Sequence, residues 1–356
     1  MNRFDVCVVG AGPGGMLLAY LLAKKNISVL LLERTGQIAK TFRGEHINDE
    51  GEEILKRHQL YDDIKAYGLL KMEQLEYWHN GSLIKRLEPN TPNGHFGIHI
   101  PQAHLLKAIL EKAEKLDTFQ YCLNSNVTEL IEENGRFIGV KVLRNNEEHQ
   151  INAKLIIGAD GRHSTIRRLA NIKTEIRKHG YDLLWARIPA PPHWKPAIKM
   201  ALIDVSQISL FTQVNNYIQI GWNIEPGSYP QLRKQPFSNL TNKLIQTFPE
   251  LKPSIEANLK DWRDFVLLDV FSSRTEEWGK NGVLLIGDAV HTMTPTGAFG
   301  LNSAMKDADL LASLLTQENL NTVDQFACAN NRRKKIEEIQ AIQIEKEQTF
   351  KDHFNL

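Results

Sequence analysis

At 356 residues the chain is long enough for a large core and for two domains sharing one interface. Hydrophobic residues make up 42% and charged residues 24%, the balance of a globular enzyme. Lys+Arg number 43 against Asp+Glu 42, so no net field recruits nucleic acid or acidic lipid. Cys7, Cys122 and Cys328 are scattered and odd in number, which suits neither a disulfide framework nor a metal-ligand set. The expectation is a reducing cytoplasm. No signal-peptide pattern opens the sequence, no apolar run reaches bilayer-spanning length, and no internal repeat is found.

Residues 4–9 form a short apolar run that ends in glycines and read as a buried parallel strand. Residues 12–25 carry Met16, Leu17, Ala19, Tyr20 and Leu22 at helical spacing, and 28–33 is a second apolar strand, so the opening predicts one βαβ unit. Helices are expected over 49–60 and 104–115. Strands are expected over 126–132, 136–143 and 150–157, with Glu133-Asn134-Gly135 as a hairpin turn. Past about residue 172 prolines cluster at 189, 191, 192 and 196. Strands 184–188, 200–204, 208–213 and 217–223 follow, with Asn215-Asn216 as a tight turn, and these read as a mostly antiparallel inserted sheet. Helices are expected over 237–248 and 252–259. From Gly282 the chain returns to the first domain through strand 283–286, a loop and helix 301–315, and a charged amphipathic helix over 323–350 closes it.

Three separated motifs carry the chemistry. Gly10-x-Gly12-Pro13-x-Gly15 allows a tight turn after a strand, close backbone approach to a pyrophosphate, and close helix packing. The helix that follows faces the phosphates with free N–H groups and a partial positive charge. Glu33 ends the second strand where a carboxylate accepts hydrogen bonds from a ribose, with Arg34 beside it. This motif alone does not separate NAD from FAD. The second, Gly158-Ala159-Asp160-Gly161 followed by Arg162-His163-Ser164, puts a carboxylate between a strand and a helix. The third runs from Gly282 through Gly287-Asp288, His291, Pro295, Gly297, Gly300-Leu301-Asn302 and Asp307.

Together these motifs resemble those of the class A flavoprotein monooxygenases, the para-hydroxybenzoate hydroxylase family, over nearly the whole chain. The resemblance implies an α/β fold: a Rossmann-like FAD-binding domain (1–70, 100–172, 280–322), an inserted, mostly antiparallel substrate domain (71–99, 173–279) and a C-terminal helix (323–356). It places Asp160 near the pyrophosphate and the nicotinamide cofactor. It gives Asp288 the ribityl chain of FAD, and it runs the 295–302 loop beneath the isoalloxazine. The backbone amides of Leu301 and Asn302 would then open a helix toward N1 and O2, where a helix N-terminus stabilises reduced, anionic flavin. Pro295 would keep one wall rigid, its carbonyl bordering the oxygen site, and Gly300 would let the backbone come close. Phe42-Arg43-Gly44-Glu45-His46 is similar to the family's Arg-Gly segment, with Arg43 at the FAD phosphates and residues 45–47 at the flavin edge. Gln102 and Val127 fall where the family contacts the cofactor and its adenine.

The implied enzyme is an NADH- or NADPH-dependent FAD monooxygenase with noncovalent FAD and no metal. It would react with O2 through a flavin C4a-hydroperoxide to hydroxylate or epoxidise a small organic substrate. A monomer or homodimer is expected, without nucleic acid or stable membrane insertion. His46 and Tyr217 are the polar groups expected near substrate, histidine being suited to proton relay. The resemblance fades in the substrate domain. Phe211-Thr-Gln-Val-Asn-Asn carries no arginine, and Ile208, Leu210, Phe211, Ile218, Ile220 and Trp222 suggest an apolar wall. A neutral apolar or phenolic substrate is therefore expected rather than a benzoate. The single tryptophan in 221–226 argues against halogenation. Arg332 to Lys335 reads as a solvated helix face. A reductase of the same fold, similar to the geranylgeranyl reductases, and a flavin-binding protein with little turnover remain the alternatives.

Overall fold

The computed structural model describes residues 2–38, 45–91, 93–321 and 325–354. At its centre Asn2–Val9 lies parallel between Val29–Leu32 and Glu147–Gly158, with Phe119–Cys122 beyond the first and Val283–Leu285 beyond the second. Successive side chains of these strands go to opposite faces. Val6, Val8, Leu155 and Ile157 enter one core cluster, and Cys7, Val9 and Ile156 enter another. Burial on both faces is why these strands read as unbroken apolar runs. The Pro13–Lys24 helix covers one face together with Gln102–Ala113 and Phe299–Leu314. Val9, Leu32, Gly158 and Leu285 stand level at the carboxyl edge of the sheet, where parallel α/β sheets open a ligand crevice.

The second sheet has seven strands in the order Val266–Leu268, Asp182–Pro189, Tyr217–Ile224, Ser206–Gln213, Ala197–Ile203, Gln74–His79 and Ser82–Leu87. Every pairing is antiparallel except that of Ala197–Ile203 with Gln74–His79. Its hairpin turn follows from the sequence: Asn215 and Asn216 both adopt positive φ, at 63° and 57°, as a type I′ turn requires. Ser238–Thr247 and Lys252–Asn258 cover one face.

The α/β architecture and the helix and strand order agree with the sequence. Among the parts not foreseen are the Tyr61–Tyr67 helix, the strands within 71–99, the Phe119–Cys122 and Val266–Leu268 strands, and the ladder of Thr174–Lys178 with Phe271–Thr275. Among the described residues no helix is long and apolar enough to cross a membrane.

Candidate functional site

The crevice begins at the first glycine motif. Gly10 has φ 106°, and a Cβ there would lie 2.4 Å from the Ala159 carbonyl oxygen. A Cβ on Gly15 would lie 2.0 Å from the Gly10 oxygen, so only glycine lets the helix sit this close to the strand end. Gly12 caps the helix and Pro13 occupies its first turn, where a missing N–H costs nothing. A Cβ at Gly12 or Gly161 would meet no atom within 4 Å, so both face open space at the crevice mouth. Glu33 accepts from the Ala11 N–H at 2.9 Å and from the Thr35 N–H and Oγ1 at 3.0 and 2.8 Å. It thereby braces the phosphate turn from the end of the second strand. Ser125 N–H donates to the Glu33 carbonyl at 2.9 Å, which brings the start of the Val127 strand alongside. Val127 is buried, while Arg34 is exposed.

Asp160 turns back onto its own helix. It accepts from the Thr165 and Ile166 N–H groups at 2.6 and 3.1 Å and from Ser164 Oγ. Burial pushes its carboxyl above the ordinary range, against the pull of those donors. Arg167 reaches from this helix to the Ala289 carbonyl at 2.7 Å, and Arg162 Nε stands 3.8 Å from Asp288 Oδ2. The second and third motifs thus meet at one place.

The third motif is held from behind. Asp307 is fully buried and takes the Gly287 N–H at 2.9 Å, His291 Nε2 at 2.6 Å and Arg332 Nε at 2.8 Å. Burial raises this carboxyl, yet His291, Arg332 and the Gly287 N–H outweigh it and hold the group below the ordinary carboxylate range. Arg332 itself is 7% exposed, which corrects the reading of 332–335 as a wholly solvated face; 333–335 are exposed. In the loop from Thr292 to Thr296 the Thr292 carbonyl already takes the Ser273 N–H at 3.0 Å and that of Pro295 takes the Ala298 N–H at 3.0 Å, which leaves those of Thr294 and Thr296. The last helix supplies donors to these two and a second donor to Thr292. Gln340 Nε2 reaches the Thr292 carbonyl at 3.2 Å, and Gln343 Nε2 reaches those of Thr294 and Thr296 at 2.8 and 2.7 Å. Pro295 lies between the last two. Ala298 sits at φ 54°, an outlier for a residue with a Cβ and a sign of backbone held by its surroundings. Asn302 then bridges segments: Nδ2 donates to the His46 carbonyl at 3.1 Å, and Oδ1 accepts from the Asn48 N–H at 3.1 Å. Leu301 and Asn302 lie in the first turn of the Phe299–Leu314 helix, whose leading N–H groups lack partners within the helix.

These segments fit FAD. A glycine cradle with free helix N–H groups suits a pyrophosphate, Glu33 suits a ribose, Asp288 at the mouth suits a polyol, and a second helix N-terminus suits the ring. Asp288→Ala should accordingly weaken FAD retention by roughly ten- to hundredfold, the cost of one unpaired buried hydroxyl of about 1–3 kcal/mol. Flavin fluorescence titration of the apoenzyme measures this, and unchanged affinity would place Asp288 away from the cofactor.

Of the six residues expected to offer an apolar wall, only Phe211 lies on the face that the seven-stranded sheet turns toward this loop. Ile208, Leu210, Ile218, Ile220 and Trp222 turn away into a core with Leu244, Phe248 and Ile255. The other face carries Trp185, Arg187, Ser209, Phe211, Gln213, Tyr217 and Gln219, which stand opposite one another in the register. Its direction is fixed by Phe211, whose ring lies 5.8 Å from that of His99, which in turn touches His46. The wall is therefore aromatic and polar, and it holds a cation. Arg187 lies over the Tyr217 ring at 4.6 Å, and Gln213 Nε2 donates to Gln219 Oε1 at 3.2 Å.

His46 and His99 form a short relay. The Thr212 carbonyl lies 2.7 Å from His99 Nδ1, so that nitrogen carries the proton, and His99 Nε2 must accept from His46 Nδ1 at 3.1 Å. Burial lowers His46 to about 4 and His99 to about 3, so both are neutral at neutral pH. Beside them the Glu45 carboxyl is pushed up to about 7 by burial, with Arg187 pulling it back. Sequence reasoning put Glu45 at the flavin edge only as part of 45–47 and gave it no chemistry, and it missed His99 and the Gln340–Gln343–Glu347 stripe. Only the helical spacing of the stripe hinted at a common face. Gln102 starts its helix two residues after Ile100, whose N–H donates to the Glu45 carbonyl at 2.9 Å. Arg43 lies outside the described residues.

Asp49, Glu52 and His95 also cluster. The Gly97 N–H donates to His95 Nδ1 at 3.1 Å, which leaves the ring proton on Nε2, 3.2 Å from Glu52 Oε2. That tautomer turns Nε2 toward the carboxylate, although the two buried atoms meet in distance only and not in hydrogen-bond geometry.

Residues 3–322 match the model of a FAD binding domain. The chain is 28% identical over 347 residues to the 6-methylpretetramide 4-monooxygenase of Streptomyces rimosus, covering 96% of this chain and 82% of that one. It is 26% identical over 332 residues to the digeranylgeranylglycerophospholipid reductase of Methanosarcina acetivorans, covering 90% of this chain and 77% of the relative. The fold superposes on P. aeruginosa PqsL in complex with 2-aminobenzoylacetate with a TM-score of 0.84 at 18% identity, covering 99% and 98% of the two chains. It also superposes on the tetrameric form of 2-methyl-3-hydroxypyridine-5-carboxylic acid oxygenase with a TM-score of 0.80 at 21% identity, covering 97% and 91%. The glycine cradle, the braced Gly287-Asp288 turn and the matched domain lead to one assignment: the chain belongs to the FAD binding domain family and is a class A FAD-dependent monooxygenase.

Proposed function

We propose that this enzyme uses NADH or NADPH and O2 to hydroxylate a planar phenolic or heteroaromatic molecule with a hydrogen-bonding edge. Bound FAD supplies the redox chemistry, accepting hydride and activating oxygen. The chain's own residues bind, orient and exclude water. The observation that carries the reading is the face the sheet turns toward the flavin loop: the Trp185 and Phe211 rings stand 6.3 Å apart, with Gln213, Gln219 and Arg187 in the same rows. Rings supply stacking area, and the amides and the guanidinium pair with polar substituents that an apolar wall would leave unsatisfied. The substrate is thus aromatic and polar rather than purely apolar, and an anionic substituent has a partner in Arg187. The similar folds of PqsL and the pyridine-carboxylic acid oxygenase, whose names speak of aminobenzoyl and hydroxypyridine compounds, agree with this class.

Proton acceptance falls to Glu45 in this reading. His46, at about 4, is too weak a base to take a phenol proton, whereas Glu45, at about 7, is poised to do so. Because the Glu45 carboxyl ionises only as pH rises through about 7, substrate-stimulated NAD(P)H oxidation should climb over that interval. In Glu45→Gln the climb should vanish. A pH profile of the variant that matches the wild type would remove Glu45 from the chemistry. The substrate class is tested by NAD(P)H consumption against a panel of phenols, hydroxypyridines, benzoates and saturated isoprenoids. Stimulation by isoprenoids alone would favour the reductase reading, which the Methanosarcina relative keeps open.

A further inference from the structure

We infer that Glu347, on the C-terminal helix, is a positioning residue for the Pro295 wall of the flavin site. The inference rests on the assignment of 294–302 as the flavin loop. The Glu347 carboxylate stands directly behind that wall. Its Oε1 accepts from Thr294 Oγ1 at 2.8 Å and from Thr296 Oγ1 at 2.9 Å, the residues on either side of Pro295, and from Tyr181 OH at 3.3 Å. Its Oε2 meets His179 Nδ1 at 2.7 Å, and His179 Nε2 meets Ser272 Oγ at 2.9 Å. Tyr181 OH also bonds Thr296 Oγ1 at 2.8 Å. One carboxylate therefore collects side chains from the flavin loop, from the segment leading into the substrate sheet, and through His179 from the strand bearing Ser272.

Glu347 continues the stripe begun by Gln340 and Gln343, three and four residues apart along one helix face. The glutamines hold the loop carbonyls, and Glu347 holds its hydroxyls. Burial works against the Glu347 charge, but His179 and the two threonine hydroxyls keep its carboxyl below the usual range. On its other side lies a groove of about 830 Å³, lined in part by His179, Tyr181, Trp222 and Gln348. Glu347 thus stands between open solvent and the loop on which the flavin ring rests. A wall of this kind fixes the distance from the loop amides to the ring. Displacement by about 1 Å at such a place costs up to roughly a hundredfold in rate.

The test uses FAD-loaded enzyme and two variants, Glu347→Ala and Glu347→Gln. Both remove the charge. Only glutamine keeps an acceptor for Thr294 and Thr296, so the difference between the two isolates positioning from electrostatics. The two-electron midpoint potential of bound FAD should be lower in the alanine variant than in the glutamine variant by about 30 mV, a tenfold change in the reduction equilibrium. The reason is that a slack loop withdraws its amides from the reduced anion. The flavin absorption spectrum should shift in alanine and be restored in glutamine, with one FAD retained per chain in each. Equal potentials and spectra in the two variants would overturn the inference. Because neither readout needs a substrate, failure here is distinguishable from failure of the proposed reaction. Should Glu347→Ala not fold, the single variants Thr294→Val and Thr296→Val carry the same comparison. Each removes one hydroxyl from the carboxylate, and wild-type potentials in both would again overturn the inference.

Discussion

Replacing Arg332 with alanine should lower the stability of the FAD-loaded enzyme by about 3–5 kcal/mol, a shift in thermal midpoint of about 4–7 °C. The effect is large because the partner cannot escape. Asp307 is 3% exposed and already committed to His291 and to the Gly287 N–H, so loss of the guanidinium leaves a buried carboxylate short of its compensating charge. The Arg332→Ala melt should also release flavin earlier, since Asp307 holds the turn that presents Asp288. Arg332→Lys should recover part of the loss by restoring charge without the second N–H, which now reaches the Ser303 carbonyl at 3.3 Å. A midpoint within a degree or two of the wild type would mean that the pair is not the brace the geometry indicates.

The second large effect is expected at Gly15. In Gly15→Ala the new methyl would lie 2.0 Å from the Gly10 carbonyl oxygen and 3.0 Å from Ala159 Cβ. Neither the oxygen nor the strand end behind it can move aside cheaply, so the helix must lift from the sheet. Overpacking of this kind costs about 1–3 kcal/mol, and the helix N-terminus that faces the pyrophosphate moves with it. Purified Gly15→Ala should emerge largely colourless, with less than about a tenth of the wild-type FAD. Full occupancy would show that the helix has room the geometry denies it. Gly12→Ala makes a useful contrast, because a Cβ there meets no protein atom and obstructs only the cofactor.

The parts of this site that rest on backbone chemistry were legible in the sequence. A tight turn, a close helix approach and an αL hairpin each demand glycine or asparagine, which is why Gly10, Gly15, Asn134 and Asn215 announced their places. The facing of the substrate sheet was not legible. Its strands alternate as Leu210, Phe211, Thr212, Gln213, but both faces are covered, one by helices and one by the flavin domain. Alternation then says that there are two faces and not which one meets the loop. The C-terminal helix misled for a related reason. Arg332, Gln340 and Gln343 look like solvent-facing polar residues, yet each is buried, because Asp307 takes the Arg332 guanidinium and the carbonyls of Thr292, Thr294 and Thr296 take the two amides. The sequence placed Glu45 at the flavin edge but gave it no role, because a lone glutamate carries no pattern; its character comes from burial beside Arg187.

The most direct test of the account is the fate of oxygen during turnover under ¹⁸O2. With an aromatic substrate that stimulates NAD(P)H oxidation, the account predicts one ¹⁸O atom in the product by mass spectrometry and flavin released intact on acid precipitation. NAD(P)H oxidation that yields a product enriched by two hydrogens and no ¹⁸O would contradict it and assign the chain to reduction instead.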